Sequence, residues 1–153
     1  MYFISGFYKF KKISNIKKSK KIIQVYFINK GIRGSIIISK EGINGTISAK
    51  RKILDEAVNK IKKTFKFSNF DSINLSKCRY QPFHRGKVKI KKEVVPMGIK
   101  VSKRKSRNHV DPTKWNKLIR NKNTFLLDAR KSFEYQVGTF KRAINPNIDK
   151  FRE

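Results

Sequence analysis

The residues from Lys87 to Lys91 alternate strictly between lysine and an aliphatic residue. Successive side chains of a β-strand point to opposite faces of its sheet. Val88 and Ile90 would therefore face one side and the lysines the other. The pattern predicts a strand with one buried and one cationic face, which residues 93–95 extend and Pro96 ends. The chain must then build a sheet that is covered by core on only one of its faces.

Several segments before this strand also have a clear periodicity. A first strand is predicted by aromatic and β-branched residues, and two helices by apolar residues at helical spacing. The first helix follows the candidate N-caps Ser14 and Asn15 and ends at Gly31. Paired extended segments around a glycine-rich turn predict a β-hairpin. In chain order, these elements are a strand at 2–10, a helix from 16, a hairpin at 35–48 with its turn at 41–45, and a helix at 50–65.

The order strand, helix, strand, strand, helix, strand is typical of a ferredoxin-like α+β sandwich, with both helices on one face of an antiparallel sheet. The segment 67–77 is predicted to be a loop. We assign residues 1–97 to this domain and the basic stretch at 98–110 to a linker.

Residues 111–153 predict the incomplete start of a second, α/β domain. Asp111 and Pro112 are typical of a helix N-terminus, and residues 124–127 predict a buried strand that ends at Asp128. A segment of this length rarely buries enough surface to fold as an independent domain.

The chain carries 39 Lys and Arg against 10 Asp and Glu, a formal net charge of +29. Such a charge repels itself in a compact body, and neutralisation by the phosphates of a nucleic acid is a common solution. Codon bias is the alternative source of part of the charge, because the chain is rich in Lys, Ile and Asn. It does not explain the shortage of Asp and Glu, so we predict a polyanionic partner.

The densest cationic stretch lies between Arg85 and Arg107 and includes a single acid, Glu93. We predict that it follows the phosphates of an RNA. The alternative is a solvated edge strand whose lysines prevent sheet-to-sheet pairing. The predicted RNA-binding residues are Arg85, Lys87, Lys89, Lys91, Lys92, Lys103, Arg104, Lys105 and Arg107.

The aromatic residues of the first strand are candidates for stacking on unpaired bases. They are Tyr2, Phe7, Tyr8 and Phe10. The alternative role is a place in the hydrophobic core, as is common for aromatic residues at strand spacing.

Other classes of site have little support in the sequence. Cys78, His84 and His109 are the only cysteine and histidines, and their spacing matches no usual metal site. A single cysteine cannot form an intramolecular disulfide, which fits a reducing cytosol. No apolar run is long enough for a membrane span, and no secretory signal is recognisable. No P-loop, GxGxxG, HExxH or GxSxG motif occurs.

Four strings of the sequence point to one family. They are FYKF at 7–10, KEGINGTIS at 40–48, VKIKKEVVPMG at 88–98 and LLDARKSFEYQVGTFKRAINPNIDKFRE at 126–153. Together, and in this order, they resemble the bacterial tRNA uridine-34 hydroxylases, rhodanese-like proteins in which a small α+β domain precedes the rhodanese-like domain. The residues that match the family's motifs are Glu41, Gly42, Asn44 and Gly45 in the first part and Asp128, Arg130, Glu134 and Gly138 in the second. We expect all eight to have structural rather than catalytic roles.

The resemblance implies an oxygen-dependent oxidation of the wobble uridine of tRNA to 5-hydroxyuridine in the cytoplasm. It implies tRNA as the partner and molecular oxygen as the co-substrate, with no other cofactor evident. In this family the catalytic cysteine lies in a later loop, so we expect it beyond Glu153 and expect this chain alone to be inactive. The alternatives are a non-catalytic RNA-binding module and, with less support, a rhodanese-type sulfurtransferase fragment, which needs the same cysteine.

Overall fold

A computed structural model describes residues 1–95 and 110–148 of the chain. The chain divides into two compact units, with the boundary after Val95. The first unit contains, in chain order, β1 (Tyr2–Phe10), α1 (Ile16–Asn29), β2 (Arg33–Ser39), β3 (Gly42–Ala49), α2 (Arg51–Phe65), β4 (Ser72–Cys78) and β5 (Gly86–Ile90).

These strands form one five-stranded sheet in the order β4-β1-β3-β2-β5. The pairs β1–β3, β1–β4 and β2–β3 are antiparallel, whereas β2 and β5 are parallel. The predicted ferredoxin-like α+β fold is confirmed. The expectation of a wholly antiparallel sheet is wrong, because the chain crosses from β4 at one edge to the opposite edge and there adds β5 in the direction of β2.

The prediction of a loop over residues 67–77 is wrong, because most of this segment belongs to β4, the fourth strand of the ferredoxin-like order. β4 pairs with β1 along its whole length, from Ser72 opposite Tyr8 to Cys78 opposite Tyr2. Serine and asparagine are uncommon in strands, so the local sequence does not predict one here. Pairing with β1 stabilises the extended conformation instead. The predicted basic strand is therefore a fifth strand, which ends at Ile90.

Two boundaries of the predicted strands also differ. Residues 93–95 do not extend β5, since the amide of Val94 turns away and donates to Glu41 Oε1 at 2.6 Å. The hairpin turn is shorter than predicted, because β3 already begins at Gly42 and pairs residue by residue with β2.

Both helices pack on the same face of the sheet, where their buried residues meet the aliphatic residues of the central strands. Removing such side chains from water stabilises the fold by about 1.5–3 kcal/mol each. The fully buried core includes Ile23 and Phe27 of α1, Leu54, Ala57 and Ile61 of α2, and Ile36, Ile38, Ile43 and Ile47 of the sheet. Within the first unit, the opposite face of the sheet has no helix on it.

The described part of the second unit contains α3 (Pro112–Arg120) and α4 (Ser132–Val137). The predicted helix start at Asp111 is confirmed, because its carboxylate accepts a hydrogen bond from the amide of Lys114 at 2.9 Å. The predicted buried strand at 124–127 is wrong: only Leu127 pairs, in an isolated parallel bridge with Ile144, and its side chain is 55% exposed. The interpretation of this unit as the start of a rhodanese-like domain stays a prediction.

Candidate nucleic-acid interface

The sheet face opposite the helices carries no acidic residue on any of its five strands. We call its central part the open face. Hydroxyl, amide, aromatic and cationic groups dominate it, whereas the residues at its ends, Ser39 and Ser48, are fully buried. The open face comprises Ile4, Gly6, Tyr8 and Phe10 of β1, Ser35 and Ile37 of β2, Asn44 and Thr46 of β3, Ser72, Asn74 and Ser76 of β4, and Lys87 and Lys89 of β5. Hydrogen-bond donors and positive charge without carboxylates suit an anionic partner.

Two rows of residues cross the open face from edge to edge, and each ends in a lysine. One row is Asn74, Gly6, Thr46, Ser35 and Lys87, and the other is Ser72, Tyr8, Asn44, Ile37 and Lys89. Neighbouring strands lie about 4.8 Å apart, so the backbone of Tyr8 is separated from that of Lys89 by three strand spacings, about 14 Å.

The structure confirms that Lys87 and Lys89 alternate with a buried Val88, but the predicted burial of Ile90 is wrong, because this residue at the end of β5 is 38% exposed. Val88 is buried, whereas Lys87 and Lys89 are exposed on the open face. Neither lysine forms an ion pair with a carboxylate in the described parts of the chain. Both ammonium groups are therefore available to an external anion.

The other predicted RNA-binding residues lie next to this strand or outside the described residues. Arg85 directly precedes β5, while Lys91 and Lys92 follow it, and all three are exposed. The residues that fall outside the described ranges are Lys103, Arg104, Lys105 and Arg107.

The parallel pairing of β5 brings together cationic residues that the sequence analysis did not connect. The amide of Gly34 donates to the carbonyl oxygen of Arg85 at 2.8 Å, which places Arg33 beside Arg85. With His84, these two arginines line a cavity of about 180 Å³ near the start of β5. The signal for this cluster lay in strand pairing, which the sequence does not contain in any local pattern.

The structure separates the four candidate stacking residues. Tyr8 and Phe10 are 38% and 47% exposed on the open face, with their ring centroids 5.9 Å apart. Phe7 points to the other side of β1 and is buried against Phe70, at 4.8 Å between ring centroids. Tyr2 is half-buried, and its ring contacts an ammonium group at 4.4 Å. Phe7 is therefore a core residue, and Tyr8 and Phe10 are the aromatic residues that a ligand can reach.

The motif at residues 41–45 combines a hairpin anchor with part of the open face. Glu41 holds the amide of Val94, and thereby ties the hairpin turn to the end of the first unit. A side chain on Gly42 would overlap the Lys9 carbonyl oxygen, and one on Gly45 would lie 2.9 Å from the Ser35 carbonyl oxygen. Asn44 instead points to the open face.

The motif that begins at Asp128 forms a clasp within the second unit. The Arg130 guanidinium donates to the Asp128 carboxylate, at 2.6 Å for the shortest contact, and to the carbonyl oxygen of Gly138 at 2.7 Å. Thr139 Oγ1 also donates to Asp128, and Glu134 accepts a hydrogen bond from a backbone amide at the start of α4. The guanidinium holds the pKa of Asp128 well below its usual range, and the carboxylate raises the pKa of Arg130. These contacts join the chain before α4 to the chain after it.

Within residues 1–95 and 110–148, the cysteine and the histidine do not lie in a group of metal-ligating side chains. Cys78 is a free, half-buried thiol at the end of β4, His84 is exposed, and His109 lies outside the described residues. Among the described residues, no group of three or more His, Cys, Asp or Glu side chains is placed to hold a metal ion. None of the helices in residues 1–95 and 110–148 has the length and apolar character that a membrane-spanning segment needs.

The topology and core of the first unit define an α+β domain of the ferredoxin-like class. Residues 2–94 match the family model of the UPF0176 acylphosphatase like domain, and the chain belongs to this family. A solved acylphosphatase from Bacillus subtilis has a similar fold, with 13% sequence identity and a TM-score of 0.43 over 60% of this chain and 100% of that chain.

Several curated relatives of the chain have the same name. The tRNA uridine(34) hydroxylase of Pelagibacter ubique is 58% identical over 100% of this chain and 51% of its own length. The protein of the same name from Bartonella quintana is 37% identical over 98% of this chain and 50% of its own length. The chain thus spans about half the length of the curated relatives it matches.

Proposed function

We propose that this chain is the tRNA-holding part of an enzyme that hydroxylates the wobble uridine of tRNA. The observation that carries this proposal is the 58% identity, over the whole chain, to a protein named tRNA uridine(34) hydroxylase. Hydroxylation replaces the C5 hydrogen of the uracil with a hydroxyl group. With molecular oxygen as co-substrate, one oxygen atom enters the base and the other leaves as water, at the expense of two electrons and two protons from an external reductant. This chemistry takes place on cytoplasmic tRNA.

The open face and its neighbouring cations supply the binding part of this function. The open face has no carboxylate, and Lys87 and Lys89 have no ion-pair partner among the described residues. Contacts between lysines and phosphates release condensed counterions, which makes the affinity strongly dependent on salt. The role of this unit is to position tRNA.

Titration of labelled tRNA with the purified chain tests the binding role. The double variant Lys87→Glu/Lys89→Glu should weaken binding about tenfold or more at low salt and lower the slope of log affinity against log salt by about 2. The matched control is Lys17→Glu/Lys21→Glu, which changes the same charge on exposed residues of α1 on the other side of the sheet. Equal losses in both variants would show that net charge alone drives binding and would contradict the proposed interface.

Expression of the entire reading frame that encodes this chain, in a bacterium without its own uridine-34 hydroxylase, tests the enzymatic role. Mass spectrometry of nucleosides from its tRNA should show uridine with one added oxygen atom, at position 34. The Lys87→Glu/Lys89→Glu variant should raise KM for tRNA more than it lowers kcat, because the contacts hold substrate without touching the reacting atoms. Absence of the modified nucleoside at wild-type expression would refute the enzymatic role.

A non-catalytic RNA-binding module is the second candidate. This candidate is favoured because all residues of the open face come from the first unit, so that this unit carries the whole binding surface by itself. Salt-dependent tRNA binding without any 5-hydroxyuridine in the cells described above would decide for this module.

A further inference from the structure

We infer that the open face binds unpaired nucleotides, with bases stacked on Tyr8 and Phe10 and the sugar-phosphate chain directed toward Lys87 and Lys89. This inference rests on the proposed function and deepens it, because it names single-stranded rather than duplex RNA as the part of the ligand that this face holds.

A pair of exposed aromatic rings lies on the mainly polar open face. Tyr8 and Phe10 contact each other edge to face and leave 38% and 47% of their surfaces to solvent. Both are held in place through Asp71, whose amide donates to the Tyr8 carbonyl oxygen at 3.0 Å and whose carboxylate accepts from the Phe10 amide at 2.8 Å. Bases stack on such rings whatever their sequence, but only where they are not already paired and stacked in a duplex.

The position beside Tyr8 on the open face lacks a side chain. Gly6 lies two residues earlier on the same face of β1 and has no side chain. A Cβ atom at this position would have Thr46 Oγ1 as its nearest neighbour, at 3.7 Å, which is an ordinary van der Waals distance. A Cβ atom would therefore fit at Gly6 without a clash, and a base stacked on the tyrosine meets no side chain from this position.

A polar side chain lies next to Tyr8 on the neighbouring strand. Asn44 is directly opposite Tyr8 on the neighbouring strand, and its side-chain amide has no hydrogen-bond partner among the described residues. An amide offers two donors and one acceptor and can bond to the edge of a base. Such edges are accessible in unpaired nucleotides and are occupied in base pairs.

Charge decides between RNA and a protein as the occupant. Each row that crosses the open face ends in a lysine, and none of its positions is acidic. The carboxylate that accepts from the Phe10 amide belongs to Asp71, and it is paired with Lys9. The open face has aromatic rings on which bases can stack and lysines at its edge that can contact phosphates. A single-stranded nucleic acid offers both groups side by side.

The test compares a labelled oligouridylate of about ten nucleotides with a duplex of the same length. Tyr8→Leu/Phe10→Leu and, separately, Gly6→Val should each weaken binding of the single strand about tenfold and leave duplex binding unchanged. Gly6→Val fills the space beside Tyr8 with a residue that strands favour, so the fold is retained. The matched control is Tyr80→Leu, which removes an aromatic ring that is 71% exposed outside the strands and should leave the affinity unchanged.

Unchanged affinity of the single strand in Tyr8→Leu/Phe10→Leu and Gly6→Val would overturn this inference. If Lys87→Glu/Lys89→Glu still weakens tRNA binding in that case, the proposed function stands without the base-binding face. Binding of an acidic peptide in place of every RNA probe would overturn both.

Discussion

At Gly45, β3 passes so close to its surroundings that no side chain fits. A Cβ atom there would lie 2.9 Å from Ile36 Cγ1 and from the Ser35 carbonyl oxygen, and 3.1 Å from the Phe7 ring. Two of these neighbours belong to the buried core, which relaxes only partly around added volume. We expect Gly45→Ala to lower the free energy of unfolding by about 1–3 kcal/mol, measured by urea denaturation followed by far-UV circular dichroism.

Gly6→Ala is the control for this substitution, because it adds the same methyl group to the same sheet where the space is open. Alanine is favoured over glycine in a strand interior, so this variant should be as stable as the wild type or slightly more stable. Equal destabilisation by both substitutions would mean that the loss arises from the backbone and not from the crowding around Gly45.

Asp128 is the carboxyl group whose titration reports on the second-unit clasp. Its hydrogen bonds from Arg130 and Thr139 favour the charged form and hold its pKa well below the usual range. A carboxyl whose pKa is lower in the folded state stabilises that state fully above about pH 4, the pKa of an unfolded Asp, and this contribution is lost as the pH falls through the lower folded value. The clasp should therefore persist at pH values where ordinary carboxyl groups are already protonated.

NMR titration of the Asp128 carboxyl carbon should show this low pKa directly. Arg130→Gln should raise it toward the ordinary range, whereas Lys141→Gln, which removes an exposed charge from the same unit, should leave it nearly unchanged. A pKa of Asp128 that is the same in Arg130→Gln and in the wild type would show that the guanidinium is not the cause of the shift.

At the scale of elements, β4 depends on a clamp at its first residues. Asp71 lies directly before this edge strand and bonds to Lys9, to the Phe10 amide and, through its own amide, to the Tyr8 carbonyl oxygen. The substitution Asp71→Asn keeps the size of the side chain but removes the negative charge that pairs with Lys9. Amide exchange in β4, whose Ile73 and Leu75 are half exposed, should then become about tenfold faster, while exchange in the central strand β2 should not change. Equal acceleration in both strands would indicate global destabilisation instead.

The same strand shows why the sequence predicted some elements and not others. The helices α1 and α2 have a strong 3.6-residue pattern, and β5 has a strict two-residue alternation, so each carries its own signal. β4 has serine and asparagine on one face and is formed by pairing with β1, a partner about 70 residues away in sequence. The parallel placement of β5 beside β2 likewise depends on a distant partner, and no local pattern contains it.

In the candidate site, too, only the residues with a local sequence pattern are predictable. The exposed lysines of β5 follow from alternation alone. Which of Phe7 and Tyr8 is buried does not, because both faces of β1 are rich in apolar and aromatic residues, and only the packing of the helices decides which face becomes core. Arg33 and Asn44 join the interface through strand pairing, so no local pattern of residues indicates their position.

At the scale of the whole molecule, the two units differ in how much structure protects their backbones. In the first unit, Ile36 and Ile47 are fully buried and lie in strands that are paired on both sides. In the described part of the second unit, neither helix has a buried residue, and the only strand pairing is the bridge between Leu127 and Ile144, both at least half exposed. Local opening therefore exposes little apolar surface in this unit and costs little free energy.

Native-state hydrogen exchange on the whole chain measures this difference. The amides of Asp128 and Ile144 are both bonded across the bridge, to Ile144 O and Leu126 O at 2.9 Å, so each reports the opening of a real hydrogen bond. We expect both to exchange at least about a hundredfold faster than the amides of Ile36 and Ile47, which open only with the sheet. Comparable protection at the four sites would contradict this expectation. It would mean that opening the bridge costs as much free energy as opening the sheet of the first unit.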